Sequence, residues 1–270
     1  MGEMMKRMSD RREGGRALIH SLRTVACTLV LAAIMLVPFM AQAQDITSNL
    51  VGYWTFDQGS GTTANAAGSN NGTLQNGATW AAGHVGSGSL SFAGASDQYV
   101  SIPDFGGADT GDKLTVSYWI NPATLGTKAG HIAKWNEVFA GSDDNNSWGV
   151  RATNADADEL FVFVAGAVDS GDNYFTTNDA NIAAGTWSLI TFVYDGTLAN
   201  ADRIKVYKNG VRLNGVVTGT IPTSLHPSTM PVSVARYLVN GGGFDESFDG
   251  QMDDVRIYNR ALADADVVAL

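Results

Sequence analysis

Apolar and polar residues alternate in short runs from Leu50 to Tyr258, and clusters of Gly, Asn and Asp break the runs. Period-two alternation is the pattern of a strand with one buried face. It predicts an opening strand in Leu50-Val-Gly-Tyr-Trp-Thr-Phe-Asp57 and a closing one after Phe248. Between them it predicts strands at Ser89–Phe92, Gln98–Ile102, Leu114–Asn121, His131–Trp135, Trp148–Ala152, Leu160–Ala165, Trp187–Tyr194, Arg203–Lys208 and Val232–Ala235. Asn209-Gly210 supplies the two positive-φ positions of a type I′ hairpin turn. Helical periodicity enters only at Ala261–Leu270, where Leu262, Val267 and Leu270 share a face and Asp264 and Asp266 suit a helix N-terminus. Many short strands and one terminal helix predict an all-β fold: an antiparallel two-sheet sandwich in a single domain.

The first 43 residues follow a different pattern and are excluded from fold reasoning. Lys6, Arg7, Arg11, Arg12, Arg16 and Arg23 precede an apolar run from Val25 to Phe39, and Ala41-Gln42-Ala43 follows it. The run has 15 residues, short of the roughly 20 that cross a bilayer as a helix. These features predict an export signal cleaved before Gln44, no stable membrane insertion after processing, and a secreted, periplasmic or cell-surface protein. The single cysteine, Cys27, lies inside that run, so the mature chain has no disulfide. Removing the leader leaves 11 basic and 24 acidic residues, a net charge of −13. Nucleic acid and anionic lipid would be repelled by such a chain.

The motifs add a family. Tyr53-Trp-Thr-Phe-Asp-Gln-Gly-Ser-Gly-Thr-Thr63, Ser89-Leu-Ser-Phe-Ala-Gly-Ala-Ser-Asp-Gln-Tyr-Val-Ser-Ile102 and Leu114-Thr-Val-Ser-Tyr-Trp-Ile-Asn-Pro122 resemble successive strands of laminin-G-like jelly-roll domains. Gly185-Thr-Trp-Ser-Leu-Ile-Thr-Phe-Val-Tyr-Asp-Gly196 and the closing Asp253-Asp-Val-Arg-Ile-Tyr-Asn-Arg-Ala-Leu262 continue that order. The resemblance is to the concanavalin A-like lectin and glucanase superfamily, and it implies a jelly roll. It does not choose an activity, because this fold hosts lectins, glycan-cleaving enzymes and adhesion modules alike.

Candidate chemistry is sparse. The glucanase arrangement of alternating carboxylates on one strand has no full match, since Asp245-Glu-Ser-Phe-Asp-Gly250 lacks the spacing and Asp156-Ala-Asp-Glu159 lacks a third acid. No Gly-x-Ser-x-Gly elbow occurs, and His84, His131 and His226 show no paired zinc spacing. No enzyme is expected, and a divergent glycan hydrolase or lyase is the third choice. Asp253 is in phase with Val255 and Ile257, so alternation predicts a core-facing carboxylate that must be hydrogen-bonded, paired or metal-bound. The resemblance adds that such domains often hold Ca2+ near the junction of the first and last strands. Asp57, Asn65 and Asp253 are the candidate ligands, with Asn70 or Asn71 adding oxygens. Asn65-Ala-Ala-Gly68 stands where relatives carry an acid, which lowers the expected affinity. The competing reading has Asp253 capped by backbone amides or paired with Arg256 or Arg260.

A sugar site needs an aromatic platform beside amides. Trp135, Asn136, Trp148 and Tyr174 are the candidates, because each indole or phenol has an Asn within two residues of it; the competing reading puts the indoles of Trp135 and Trp148 in ordinary inter-sheet packing. Trp54, Trp80, Trp119 and Trp187 occupy strand positions expected to be core. The resulting expectation is a non-catalytic binding module for a glycan or cell-surface polysaccharide, contacted through loops at one end of the sandwich. A protein-contacting adhesion or surface scaffold is the alternative.

Overall fold

A computed structural model describes residues 45–138, 146–166, 173–240 and 247–270. The segment expected to direct export and the acidic run Asp143-Asp-Asn145, read from the sequence as a polar turn rather than a calcium loop, lie outside the described residues. In chain order the strands are β1 (Leu50–Trp54), β2 (Thr63–Ala64), β3 (Gly72–Gln75), β4 (Thr79–Ala82), β5 (Gly88–Phe92), β6 (Tyr99–Ile102) and β7 (Lys113–Pro122). There follow β8 (Gly130–Lys134), β9 (Asn136–Val138), β10 (Trp148–Ala152), β11 (Leu160–Val164), β12 (Tyr174–Thr177) and β13 (Ser188–Asp195). The last are β14 (Ile204–Lys208), β15 (Val211–Arg212), β16 (Gly215–Thr218), β17 (Val232–Val234), β18 (Leu238–Asn240) and β19 (Gly250–Tyr258), before helix α1 (Asp264–Val268).

Sheet I has eight strands in the order β15-β14-β13-β7-β19-β5-β4, with β1 also paired to β19. Sheet II has nine, in the order β16-β12-β11-β10-β8-β17-β6-β3-β2. The small parallel pair β9–β18 stands apart from both. Every other strand pairing is antiparallel. The first strand lies against the last, as the motifs implied. Turn chemistry is also as expected: Asn209 and Gly210 have φ of 51° and 76° and join β14 to β15. The helix is shorter than its periodicity suggested, spanning five residues. Among the described residues no helix is long and apolar enough to cross a membrane.

The inner faces of the two sheets bury one large core. Trp54, Leu90, Val116, Tyr118, Ile120, Phe192, Met252 and Ile257 come from sheet I, and Trp148, Val150, Val162 and Val234 from sheet II. A smaller cluster under α1 joins Val193, Tyr207, Tyr258, Leu262 and Val267 on the outer face of sheet I. A third cluster lies outside the sandwich core and bears on function below.

His131 is a polar group inside this core. Its Nδ1 lies 3.3 Å from the Tyr118 hydroxyl, and Phe248 packs edge-on at 5.4 Å. Burial lowers its pKa from 6.5 to about 4, so the native state holds it neutral while the unfolded chain protonates near 6.5. Its contribution is therefore complete above pH 6.5 and is lost as the pH falls toward 4. Stability should drop by about 2 kcal/mol between pH 7 and pH 5 from this residue alone. Chemical denaturation at the two pH values checks this, because His131→Leu should lose most of that dependence.

Candidate functional site

Sheet II carries aromatic rings on its outer face. Side chains alternate along each strand. Leu160, Val162 and Val164 of β11 therefore enter the core, while Phe161 and Phe163 point away from it. Phe163 and Tyr237 are buried with Ala133, and Trp135, Phe161 and Tyr174 are partly exposed beside them. Trp135 meets Phe163 edge-on with centroids 4.7 Å apart, and Tyr237 meets it at 5.4 Å. Tyr174 stacks on Phe161 at 4.3 Å with the planes 30° apart. The Arg151 guanidinium lies 4.2 Å from the Phe161 centroid and hydrogen-bonds Ala152 O and Asn154 Oδ1. A cation over a π-face fixes both partners.

The ladder continues this face across the sheet. Tyr174 is opposite Phe163, Phe163 opposite Gly149, and Gly149 opposite Ala133. A Cβ at Gly149 would run into the Phe163 ring and the Ala133 methyl, so the ring lies across β10 only because that residue is glycine. Beyond Ala133 the same row reads Ser233, Ser101, Thr73 and Thr63. One row thus passes from aromatic rings through small residues to hydroxyls. The indole Nε1 of Trp135 and the Ser233 hydroxyl are buried and have no hydrogen-bond partner.

Trp135 and Tyr174 are thus brought into one cluster. Asn136 follows Trp135 in β9, where it pairs with Leu238, and its side chain lies outside the described residues. Trp148 is a correction. It faces inward with Val150, is 0% exposed, and its Nε1 donates to Ala108 O at 2.6 Å. It packs against Phe192 and offers no face to a ligand. Conversely, Trp119 and Trp187 are not core: Tyr118 and Ile120 take the inward positions of β7, which turns Trp119 outward. Trp54 is core as expected, and Trp80 is partly buried against it, donating to Gly61 O. The cluster also lies on a sheet face rather than in end loops.

The carboxylates named as calcium ligands hold a turn through its backbone amides. Asp254 has φ of 51° and forms a bulge, so the register slips between Asp253 and Arg256. A bulge shifts the alternation by one residue. Asp253 therefore pairs with Trp119 on the outer side, while Val255 and Ile257 face the core. It is buried by the turn from His84 to Ser87: its Oδ2 accepts the amides of His84 (2.8 Å) and Val85 (2.9 Å), and Oδ1 has no partner. Burial raises its pKa, against the pull of those two amides. Asp57 holds the other end of the turn, with Oδ1 accepting the amides of Ser87 (2.5 Å) and Gly88 (2.9 Å) and the Ser87 hydroxyl (3.1 Å). Burial works against ionisation there, yet the bonds outweigh it and lower the pKa.

Calcium takes six to eight oxygen ligands, and one oxygen of each carboxylate already accepts backbone amides. Asn65 is exposed, and Asn71 Oδ1 accepts the Ala66 amide. Among the described residues no three His, Cys, Asp or Glu side chains converge to hold a metal. Replacing Asp253 by Ala leaves two amides without an acceptor and should cost about 1–3 kcal/mol. Asp253→Asn keeps one acceptor oxygen and should cost less than half as much. Paired melting curves separate the two, and equal losses would contradict the amide role.

The chain belongs to the laminin G family described as the concanavalin A-like lectin/glucanases superfamily, which matches residues 93–268. Among solved structures it resembles domain 4 of AbnA, a GH43 extracellular arabinanase from Geobacillus stearothermophilus, in complex with arabinotriose. That match has 19% identity and a TM-score of 0.58, and covers 82% of this chain and 97% of that one. It also resembles the botulinum neurotoxin serotype D ligand binding domain in complex with N-acetylneuraminic acid, with 12% identity and a TM-score of 0.54 over 82% of this chain. The binding domain of Paraclostridial Mosquitocidal Protein 1 is similar at 13% identity and a TM-score of 0.55 over 83% of this chain. The match covers about half of each toxin domain (50% and 52%). No curated protein matches in sequence.

Proposed function

We propose that this chain is an exported, non-catalytic module that binds carbohydrate on the outer face of sheet II. The observation that carries the reading is the set of partly exposed rings of Trp135, Phe161 and Tyr174, side by side with Arg151. Sugar rings present C–H faces that pack on π-systems and hydroxyl edges that need donors and acceptors. The aromatic end of the row supplies the first, and the hydroxyls of Ser101, Thr73 and Thr63 farther along it supply the second. Rings braced by stacking and by a cation lose little entropy on binding, which favours affinity. Export rests on the basic, apolar and Ala-Gln-Ala segments of the leader. The arabinotriose complex of a similar fold supports glycan as the ligand class.

A glycan array probed with residues 44–270, followed by titration of the strongest hit, tests the reading. Phe161→Ala and Tyr174→Ala should each weaken binding about tenfold or more, as loss of a central aromatic contact does. Undiminished binding by both variants would refute this face as the site.

A further inference from the structure

We propose that the outer face of sheet I carries a second carbohydrate subsite, for a neutral oligosaccharide, built on His84, Trp119 and Trp187 with Asn121 and Gln251 at its edge. The proposal rests on reading the domain as a glycan binder but uses none of the same residues. The exposed His84 ring stacks on Trp187 at 5.2 Å with the planes 21° apart, and leans on Trp119 at 4.2 Å. Both indoles are partly exposed. Neither belongs to a core cluster, so the inter-sheet core does not account for these three rings.

Two further observations point to a ligand. The turn that carries His84 is fastened at both ends, by Asp253 through the His84 and Val85 amides and by Asp57 through Ser87 and Gly88. Gly86 has φ of 68°, and a Cβ there would strike the Asp57 carboxylate, so the turn fits closely over it. Those bonds hold backbone and set the exposed imidazole against the two indoles. Positions on a pre-formed support bind at lower entropic cost.

The second observation is the neighbouring polar row. Asn121, two residues beyond Trp119 on the same face, pairs with Gln251, and Gln251 pairs with Ser91. The Asn121–Gln251 and Gln251–Ser89 contacts are long, at 3.4 and 3.5 Å, and the buried Asn121 Oδ1 has no partner. Two side-chain amides with spare hydrogen-bonding capacity beside a pair of indoles suit a ring that offers an apolar face and a hydroxyl edge. Asp253 lies buried beneath the patch, and the side chains of the patch include no Lys or Arg, so a uronic or sialic acid would find no counter-charge of that kind here. That sets the ligand class as neutral.

Affinity electrophoresis through gels of arabinan, xylan, mixed-linkage β-glucan or polygalacturonate tests this, with melting curves to confirm folding. His84→Ala and Trp187→Ala leave the Asp253 and Asp57 anchors intact and should fold as the parent does. On a neutral polysaccharide that retards the parent, Trp187→Ala should weaken binding about tenfold, and Trp187→Ala with Phe161→Ala should remove it. Parent-like retardation of both His84→Ala and Trp187→Ala, with loss in Phe161→Ala, would overturn the second subsite and keep the first. Loss in Trp187→Ala alone would keep the second and overturn the first. Retardation by polygalacturonate alone, or by no gel, would overturn the proposal.

Discussion

Replacing Trp148 by Ala is expected to cost about 3–5 kcal/mol of stability, enough to unfold much of a domain whose total stability is about 5–15 kcal/mol. The indole is wholly buried between the sheets against Phe192, so truncation leaves a cavity that a closely packed interior fills poorly. It also strands the Ala108 carbonyl, which accepts the indole N–H. Urea unfolding of Trp148→Ala and Trp148→Phe measures both terms. The Phe variant should recover most of the volume term but not the hydrogen bond. A loss below about 1 kcal/mol in the Ala variant would place the indole at the surface instead.

Lys134→Ala should be comparably damaging, by about 3–5 kcal/mol. The Lys134 side chain is 0% exposed at the inward-facing end of β8, opposite Trp148. Its ammonium donates to Asp104 Oδ1 and Met230 O, both at 2.6 Å, and lies 3.5 Å from Asp109 Oδ2. Asp109 is itself buried and accepts the Ser228 amide at 2.5 Å. Burial raises its pKa, opposed by that amide and by the Lys134 charge. Removing the cation leaves a buried carboxylate without its counter-charge, which is why the loss exceeds that of a surface pair. Lys134→Met with Asp109→Asn should restore part of it. A double-mutant cycle in thermal unfolding reads the coupling, and strict additivity would contradict the ion-pair account.

The sheet elements were legible wherever alternation was uninterrupted. β7, β13, β14 and β19 fall where the pattern placed them, and the Asn209-Gly210 turn forms as expected, joining β14 to the short β15, which the alternation did not mark. β2, β3 and β4 were missed because they are short pieces in a Gly- and Asn-rich stretch, held by partners distant in sequence. Asp253 was put on the wrong face because one left-handed residue, Asp254, shifts the phase of an otherwise regular strand, and alternation cannot reveal that. Trp119 and Trp148 lie on faces opposite to those the alternation suggests for a related reason. Trp119 and Trp148 both sit in strands, and only the pairing of each strand decides which face is the core.

The aromatic face was half legible. Trp135 and Tyr174 stood out through their Asn neighbours, whereas Phe161, Phe163 and Tyr237 did not. Leu160-Phe-Val-Phe-Val164 is apolar at every position, so it marks a strand covered on both faces but gives no sign that one cover is partly open. Arg151 gave no signal either, because its role depends on the ring that a neighbouring strand brings to it.

The most direct test of carbohydrate binding on sheet II is the set of indole N–H resonances of the six tryptophans, followed as arabinotriose or the strongest glycan-array hit is added. The account predicts that the Trp135 resonance moves with saturation while those of Trp54 and Trp148 stay in place. A glycan that binds with the Trp135 resonance unmoved would contradict it.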